Sequence, residues 1–220
     1  MLIDLSFFLD RYKLLRHDGD EPLVAADAAR EICLTAQCHL DPMHDELHRI
    51  FVYDCKPLDK RVHNPVTGRA VDFSRTPTYA FRTQLLADLR RMRKVALRMG
   101  ELADRRRWKL RPEATRRLLT KSMTLEQLIE NDVTYDTEQK GVDVKLALDV
   151  ATLAYKRLAD RIVLVTGDSD FVPAAKLARR EGIDVILDSL WAPVLPSLIE
   201  HVDGLRTHWP RERAVTSSSA

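Results

Sequence analysis

The sequence predicts an α/β fold built on a mostly parallel sheet with helices on both faces. Three observations carry that reading. Residues 161–190, RIVLVTGDSDFVPAAKLARREGIDVILDSL, run as an apolar strand, an acidic turn, an amphipathic helix and a second apolar strand, which is a βαβ unit. Two further apolar runs, MLID at the start and HRIFVYDC at residues 48–55, are short and strand-like and are separated by stretches of helical periodicity. Strands that read as unbroken apolar runs belong in sheets buried on both faces, and such sheets are parallel.

Taken in order, MLID is a very short first strand that ends at Asp4. Residues 7–15 and 21–40 have the spacing of amphipathic helices, and HRIFVYDC is a buried strand ending at Asp54. Pro57, Asn64-Pro65 and Gly68 make residues 56–77 mainly loop. Helical periodicity returns over 78–94 through Phe81, Leu85, Leu86 and Leu89. Weak alternation around Gly100 and Asp104 predicts a basic hairpin over 94–111. A helix over 113–121, a polar stretch to Gln139 and a helix over 142–158 lead into the βαβ unit. A proline-bounded segment at 192–201 follows. The expected organisation is one domain over 1–210 and a disordered polar tail at 211–220.

The 220 residues suffice for one full core. No apolar run is long enough to cross a bilayer, and the N-terminus lacks a signal-peptide pattern, so no membrane partner is expected. Three cysteines without a CxxC pair point to a reducing, cytoplasmic setting. Net charge is only +2, yet residues 90–117 hold twelve Lys and Arg against three acids, and residues 126–149 are acidic. That separation suits an anionic polymer held beside a cation-filled site, while solvated helix faces explain the arginines equally well.

In parallel sheets function gathers at the carboxyl ends of strands. Asp4, Asp54 and Asp168 each stand at such an end, Asp170 follows Asp168 by two residues, and Asp143 opens the 142–158 helix. Carboxylates that meet without compensation disfavour one another's ionised form. A hard divalent cation, Mg²⁺ or Mn²⁺, resolves the conflict, because it prefers oxygen ligands. Gly167 allows a tight turn, and Ser169 offers a hydroxyl to a bound water or phosphate. Helix capping alone accounts for one carboxylate but not for four.

The stretch VLVTGDSDFVPAAKLARREGIDVIL, with KGVDVKLALD at 140–149 and HRIFVYDCKP at 48–57, resembles the NYN domain family, PIN-like ribonucleases that include the LabA-like proteins. The likeness spans most of the chain and is dense from about 140 to 187. It implies a PIN-like three-layer α/β/α sandwich. It also implies a metal-dependent endoribonuclease whose Asp4, Asp143, Asp168 and Asp170 bind Mg²⁺ or Mn²⁺ and hydrolyse RNA phosphodiesters. The resemblance also allows a homo-oligomer. One departure stands out: the family's usual Gly-x-Asn after the first aspartate is Leu5-Ser6-Phe7, which leaves Ser6 as the only polar substitute.

Other motifs have two readings. CHLDPMHDELH at 38–48 puts His44 and His48 four apart, a spacing for zinc, but Pro42 and the loose ligand count favour a solvated helix end. RRRWKLR at 105–111 sets Trp108 among Arg105, Arg107 and other cations, either to stack on an RNA base beside phosphates or as a solvent-facing hairpin. Lys140 and Lys145 flank Asp143, and Lys140 is the better phosphate contact. A phosphatase of the haloacid-dehalogenase type needs an aspartate two residues after the first, where this chain has Ser6. The serious rival to a nuclease is a regulatory protein of the same fold that binds RNA or a partner without cutting.

Overall fold

The computed structural model describes residues 1–16 and 21–210. The tail expected at 211–220 lies outside the described residues. In chain order the elements are β1 (Leu2–Asp4), α1 (Leu5–Leu15), α2 (Ala25–Cys38), β2 (Ile50–Cys55), β3 (Arg61–His63), β4 (Ala70–Asp72), α3 (Pro77–Arg91) and β5 (Val95–Leu110). They continue with α4 (Pro112–Leu119), β6 (Val133–Lys140), α5 (Val142–Tyr155), β7 (Arg161–Val165), α6 (Val172–Arg180), β8 (Asp184–Asp188), α7 (Pro196–Ile199) and β9 (Gly204–Leu205).

The central sheet has the order β6-β5-β2-β1-β7-β8-β9, and every pair is parallel except β5 with β6. Side chains alternate between the two faces with the strand period of two. Leu2, Phe51, Tyr53, Ile162, Leu164, Val185 and Leu187 pack under α5, α6 and α7. Ile3, Ile50, Val52, Val163 and Val165 pack under α1, α2 and α3. The result is the three-layer α/β/α arrangement that the sequence predicts. β1 is only three residues long, but it is hydrogen-bonded on both sides, and Leu2 and Ile3 are fully buried.

Strand order turns at β1. The chain passes through β1, β2 and β5 in one direction and through β7, β8 and β9 in the other. The helix after β1 packs on one face of the sheet, and the helix after β7 packs on the opposite face. Ligands bind in open α/β sheets at the crevice such a reversal leaves beyond the strand ends. Asp4 closes β1, and Asp168 stands three residues beyond β7, so both belong to that crevice.

Two elements differ from expectation. The basic hairpin predicted over 94–111 is a single 16-residue strand, β5, and the polar stretch before Gln139 is its antiparallel partner β6. Residues 95–100 pair with β2, while residues 101–110 pair with β6, so β5 and β6 extend past the sheet as a two-stranded ribbon beside the crevice. The two apparent turn signals serve other ends. Asp104 accepts from the backbone N–H of Arg106, whose φ is 54°, and this forms a bulge in the ribbon. At Gly100 a Cβ would lie 2.6 Å from the Lys140 carbonyl oxygen and 2.7 Å from a Val142 methyl. β6 escapes detection because ion pairs rather than apolar alternation hold its outer part. Among the smaller differences, α2 begins at Ala25 rather than residue 21, since Pro22 disfavours helical backbone at the residue before it. Residues 61–72, read as loop, hold the small β3–β4 hairpin.

Gly100→Ala therefore forces backbone apart where the ribbon leaves the sheet. It is expected to cost about 1–3 kcal/mol in denaturant unfolding. An unchanged midpoint would show that the ribbon shifts freely at this point.

Candidate functional site

The crevice is built by three chain segments. β1 delivers Asp4, whose Oδ1 accepts from the backbone N–H of Ser6 at 3.0 Å and of Phe7 at 3.2 Å and so caps α1. β7 delivers the Gly167-Asp168-Ser169-Asp170 turn. Buried Thr166 accepts the N–H of Asp168 at 3.1 Å, and Asp168 Oδ1 accepts the N–H of Asp170 at 2.9 Å. The first turn of α5 presents Asp143. Capping thus describes Asp4 and Asp168 correctly, but these bonds end on one oxygen of each carboxylate and leave the other.

The electrostatics tie the three segments together. Burial, followed by the negative charges of Asp143 and Asp168, raises the Asp4 carboxyl above its ordinary value, against the two amides it accepts from. Asp143 is raised by burial and then by the charges of Asp168 and Asp170. No Lys, Arg or His among the described residues forms an ion pair with any of the four. Asp4 is half-buried, whereas Asp143, Asp168 and Asp170 are exposed.

The four do not, however, form a closed ligand shell. Among the described residues no three His, Cys, Asp or Glu side chains are arranged to hold a metal ion. The cap bonds turn one oxygen of Asp4 and one of Asp168 toward the start of its own helical segment. The donor chemistry still suits a hard cation, because all four are carboxylates with no protein cation beside them. Mg²⁺ characteristically takes one or two carboxylates together with waters and substrate phosphate. The histidine cluster fails the same test, and His44 is an exposed side chain bonded to Asp41 at 3.0 Å.

Gly167 has no left-handed φ. Its lack of a side chain matters because the Phe7 ring passes 2.8 Å from where a Cβ would stand. Phe7 thus packs against Gly167 at the position where the resemblance implies a polar Asn. Ser6 is held differently: its hydroxyl accepts from Gln139 Nε2 at 3.1 Å and from Arg82 Nη2 at 3.4 Å. Both donors also bond Asp54, Arg82 through a close ion pair. Asp54 is fully buried at the end of β2, and its Oδ2 has no partner. Burial raises its carboxyl, Arg82 opposes this, and the charge of Asp4 adds to it. The sequence sets Asp54 at a strand end but gives no signal for Arg82 and Gln139, which lie on α3 and β6 and carry no motif.

On the ribbon, Arg105 pairs with Glu138, and Arg107 and Lys109 pair with Asp136. Trp108 stands edge-on to Tyr135 at 5.4 Å between ring centres. Lys140 is exposed at the end of β6, and Lys145 bonds the Met99 carbonyl. Asp149, six residues past Asp143, accepts from Tyr53 and Arg98 and has a structural role.

A family model described as the NYN domain matches residues 70–204, more than half of the chain. Asp143, Asp168, Ser169 and Asp170 fall inside the match, and Asp4 and Ser6 precede it. No curated protein and no solved structure matches the chain.

Two outcomes follow from this geometry. A carboxyl with a raised native pKa favours the folded state while protonated, and that advantage is complete below 3.8 and lost as pH rises through the raised value. Asp143→Asn should therefore melt above wild type at pH 7, with the gap closing as pH falls toward 3.8 and shrinking in high salt. A gap independent of pH would remove the mutual repulsion. Arg82→Ala leaves the buried Asp54 uncompensated and should cost about 3–5 kcal/mol in stability. A loss under about 1 kcal/mol, the worth of an exposed pair, would show that Asp54 is not dependent on it.

Proposed function

Because the chain belongs to the NYN domain family, we propose that its nuclease-type domain is a Mg²⁺- or Mn²⁺-dependent endoribonuclease, working in the cytoplasm with Asp4, Asp143, Asp168 and Asp170 around the ion. The observation that carries the reading is the uncompensated negative charge at the sheet's turning point. Asp4 and Asp143 are raised partly by the charge of Asp168, and no protein cation answers it. A structural cluster would be expected to hold its own counter-ion. The three unpaired cysteines support the reducing compartment.

In this reading a divalent ion supplies positive charge to the phosphodiester and acidity to a bound water. The chain's own residues do the rest. The capped Asp4 and Asp168 each offer the carboxylate oxygen left outside their cap. Asp143 and Asp170 add charge from the solvent side. Ser169 and Ser6 offer hydroxyls for phosphate oxygens, and Lys140 stands exposed at the end of the neighbouring strand. Arg105, Arg107 and Trp108 would meet the flanking RNA from the ribbon. The pair of Arg105 with Glu138, exposed on both sides, is worth only about 0–1 kcal/mol, which a phosphate readily replaces, whereas Arg107 is held with Lys109 on the buried Asp136.

A second reading, a domain that binds RNA without cutting it, is favoured by one feature. Phe7 packs on Gly167 where a polar side chain would otherwise face the ion. The two readings part in one experiment. Purified protein with labelled single-stranded RNA and Mn²⁺ or Mg²⁺ should cleave, should stop with chelator, and should lose more than about 100-fold in rate in Asp168→Asn, beyond the effect typical of merely supporting residues. Mn²⁺ should also raise the melting temperature of wild type and not of the variant. Tight RNA binding with no cleavage under any metal would select the second reading, and cleavage undiminished by chelator would end the metal mechanism.

A further inference from the structure

We propose that the groove between the segment after β2, the start of α3 and the β5–β6 ribbon is a subsite for one unpaired base of single-stranded RNA. The base would belong to a nucleotide next to the phosphate at the carboxylates. The proposal takes its substrate from the ribonuclease reading and adds what part of the substrate is recognised, and where.

The groove encloses about 540 Å³, within the range of small-ligand sites and ample for a nucleobase and its sugar. Its walls carry three rings, Phe73, Tyr79 and Tyr135, two cations, Lys56 and Arg111, and Arg82, which is already paired with Asp54, with no Asp or Glu among the lining residues. That pairing of aromatic faces with positive charge is how proteins hold unpaired bases and their backbone. A second cavity at the opposite end of the strands, about 380 Å³, has the reverse character: Asp45, Glu46, Asp160 and Asp184 outnumber Arg49 and Arg161. Of these two, the first groove is the one that complements a phosphate chain.

Two of the three rings, Phe73 and Tyr135, are fixed in advance. Phe73 lies 5.6 Å from Tyr135 between ring centres, and Trp108 backs Tyr135 from the other strand. The Tyr135 hydroxyl donates to Asp104 at 2.7 Å and accepts from Lys60 at 3.0 Å, while Lys60 also pairs with Asp104. The neighbouring cation and this hydroxyl hold the Asp104 carboxyl down to about 2, so the brace stays charged across the working pH range. Tyr135 is itself buried, so the brace stiffens the wall of the groove and leaves the half-buried Tyr79 as the ring that meets a base.

Continuity with the catalytic crevice is the second observation. Arg82 and Gln139 line the groove and also donate to Ser6 and Asp54 beside Asp4. A base in the groove and a phosphate at the carboxylates are therefore joined by one layer of side chains. This also gives the buried Asp54 a use: it holds Arg82 at the boundary between the two sites.

The test uses the full chain, in chelator so that nothing is cut, with a fluorescent single-stranded RNA and the same RNA carrying one abasic nucleotide, moved along the sequence. Tyr79→Ala should weaken binding about tenfold, the order expected for one stacked base, and Tyr79→Phe should bind as wild type. Melting temperatures of both variants confirm that they fold. One abasic position should weaken wild type by a similar factor and add nothing in Tyr79→Ala, because both changes remove the same contact. Binding unaffected by Tyr79→Ala, or abasic losses that add fully to it, would overturn the subsite. If wild type also cleaves RNA in Mn²⁺, that result leaves the ribonuclease reading standing. Coupled losses in a protein that never cleaves would establish the subsite and reject the ribonuclease.

Discussion

Like charges brought together at the end of a buried sheet are the constraint on which the rest of this structure turns. β1 is clamped between β2 and β7, which sets Asp4 at a fixed height, and β7 sets the Asp168 turn beside it. The helices that follow leave on opposite faces, so nothing of the sheet covers the gap between them. Two backbone amides steady Asp4 and one steadies Asp168, yet desolvation first and neighbouring charge second still raise Asp4 and Asp143.

Around this centre the cations are arranged with care for distance. Arg82 neutralises Asp54 and not Asp4, and the ribbon arginines are paired with Glu138 and Asp136. The carboxylates of the crevice are left without an ion pair, while the cations of its flank are paired, Arg105 with the exposed Glu138 and Arg107 and Lys109 with the buried Asp136. The ribbon that carries these flanks is the part of the sheet that outruns its neighbours, and Gly100 marks the place where it departs.

Reading the chain residue by residue found some of this and missed the rest for identifiable reasons. The GDSD turn was legible because a buried strand, an acidic break and an amphipathic helix follow in contiguous residues, and period-2 and period-3.6 patterns need no partner to be seen. β6 was illegible because six of its eight side chains are polar and its stability comes from pairing with β5. Gly100 and Asp104 looked like a turn, since a glycine required by a carbonyl at 2.6 Å and one required by backbone reversal are the same letter. Phe7 looked like a lost polar residue and is also a packing partner of Gly167.

What the sequence determined by itself is local: which segments are apolar enough to be buried as strands, which helices alternate with them, and which carboxylates stand at their ends. Those properties depend on neighbours within a few residues, so they survive without the fold. What only tertiary structure decided is which distant groups share a field and which are neutralised. Asp4 feels Asp143 and Asp168, Arg82 is spent on Asp54, and three rings from two distant segments line one groove. Charge and stacking act through space at contact distances, and strand order, not chain order, sets those distances.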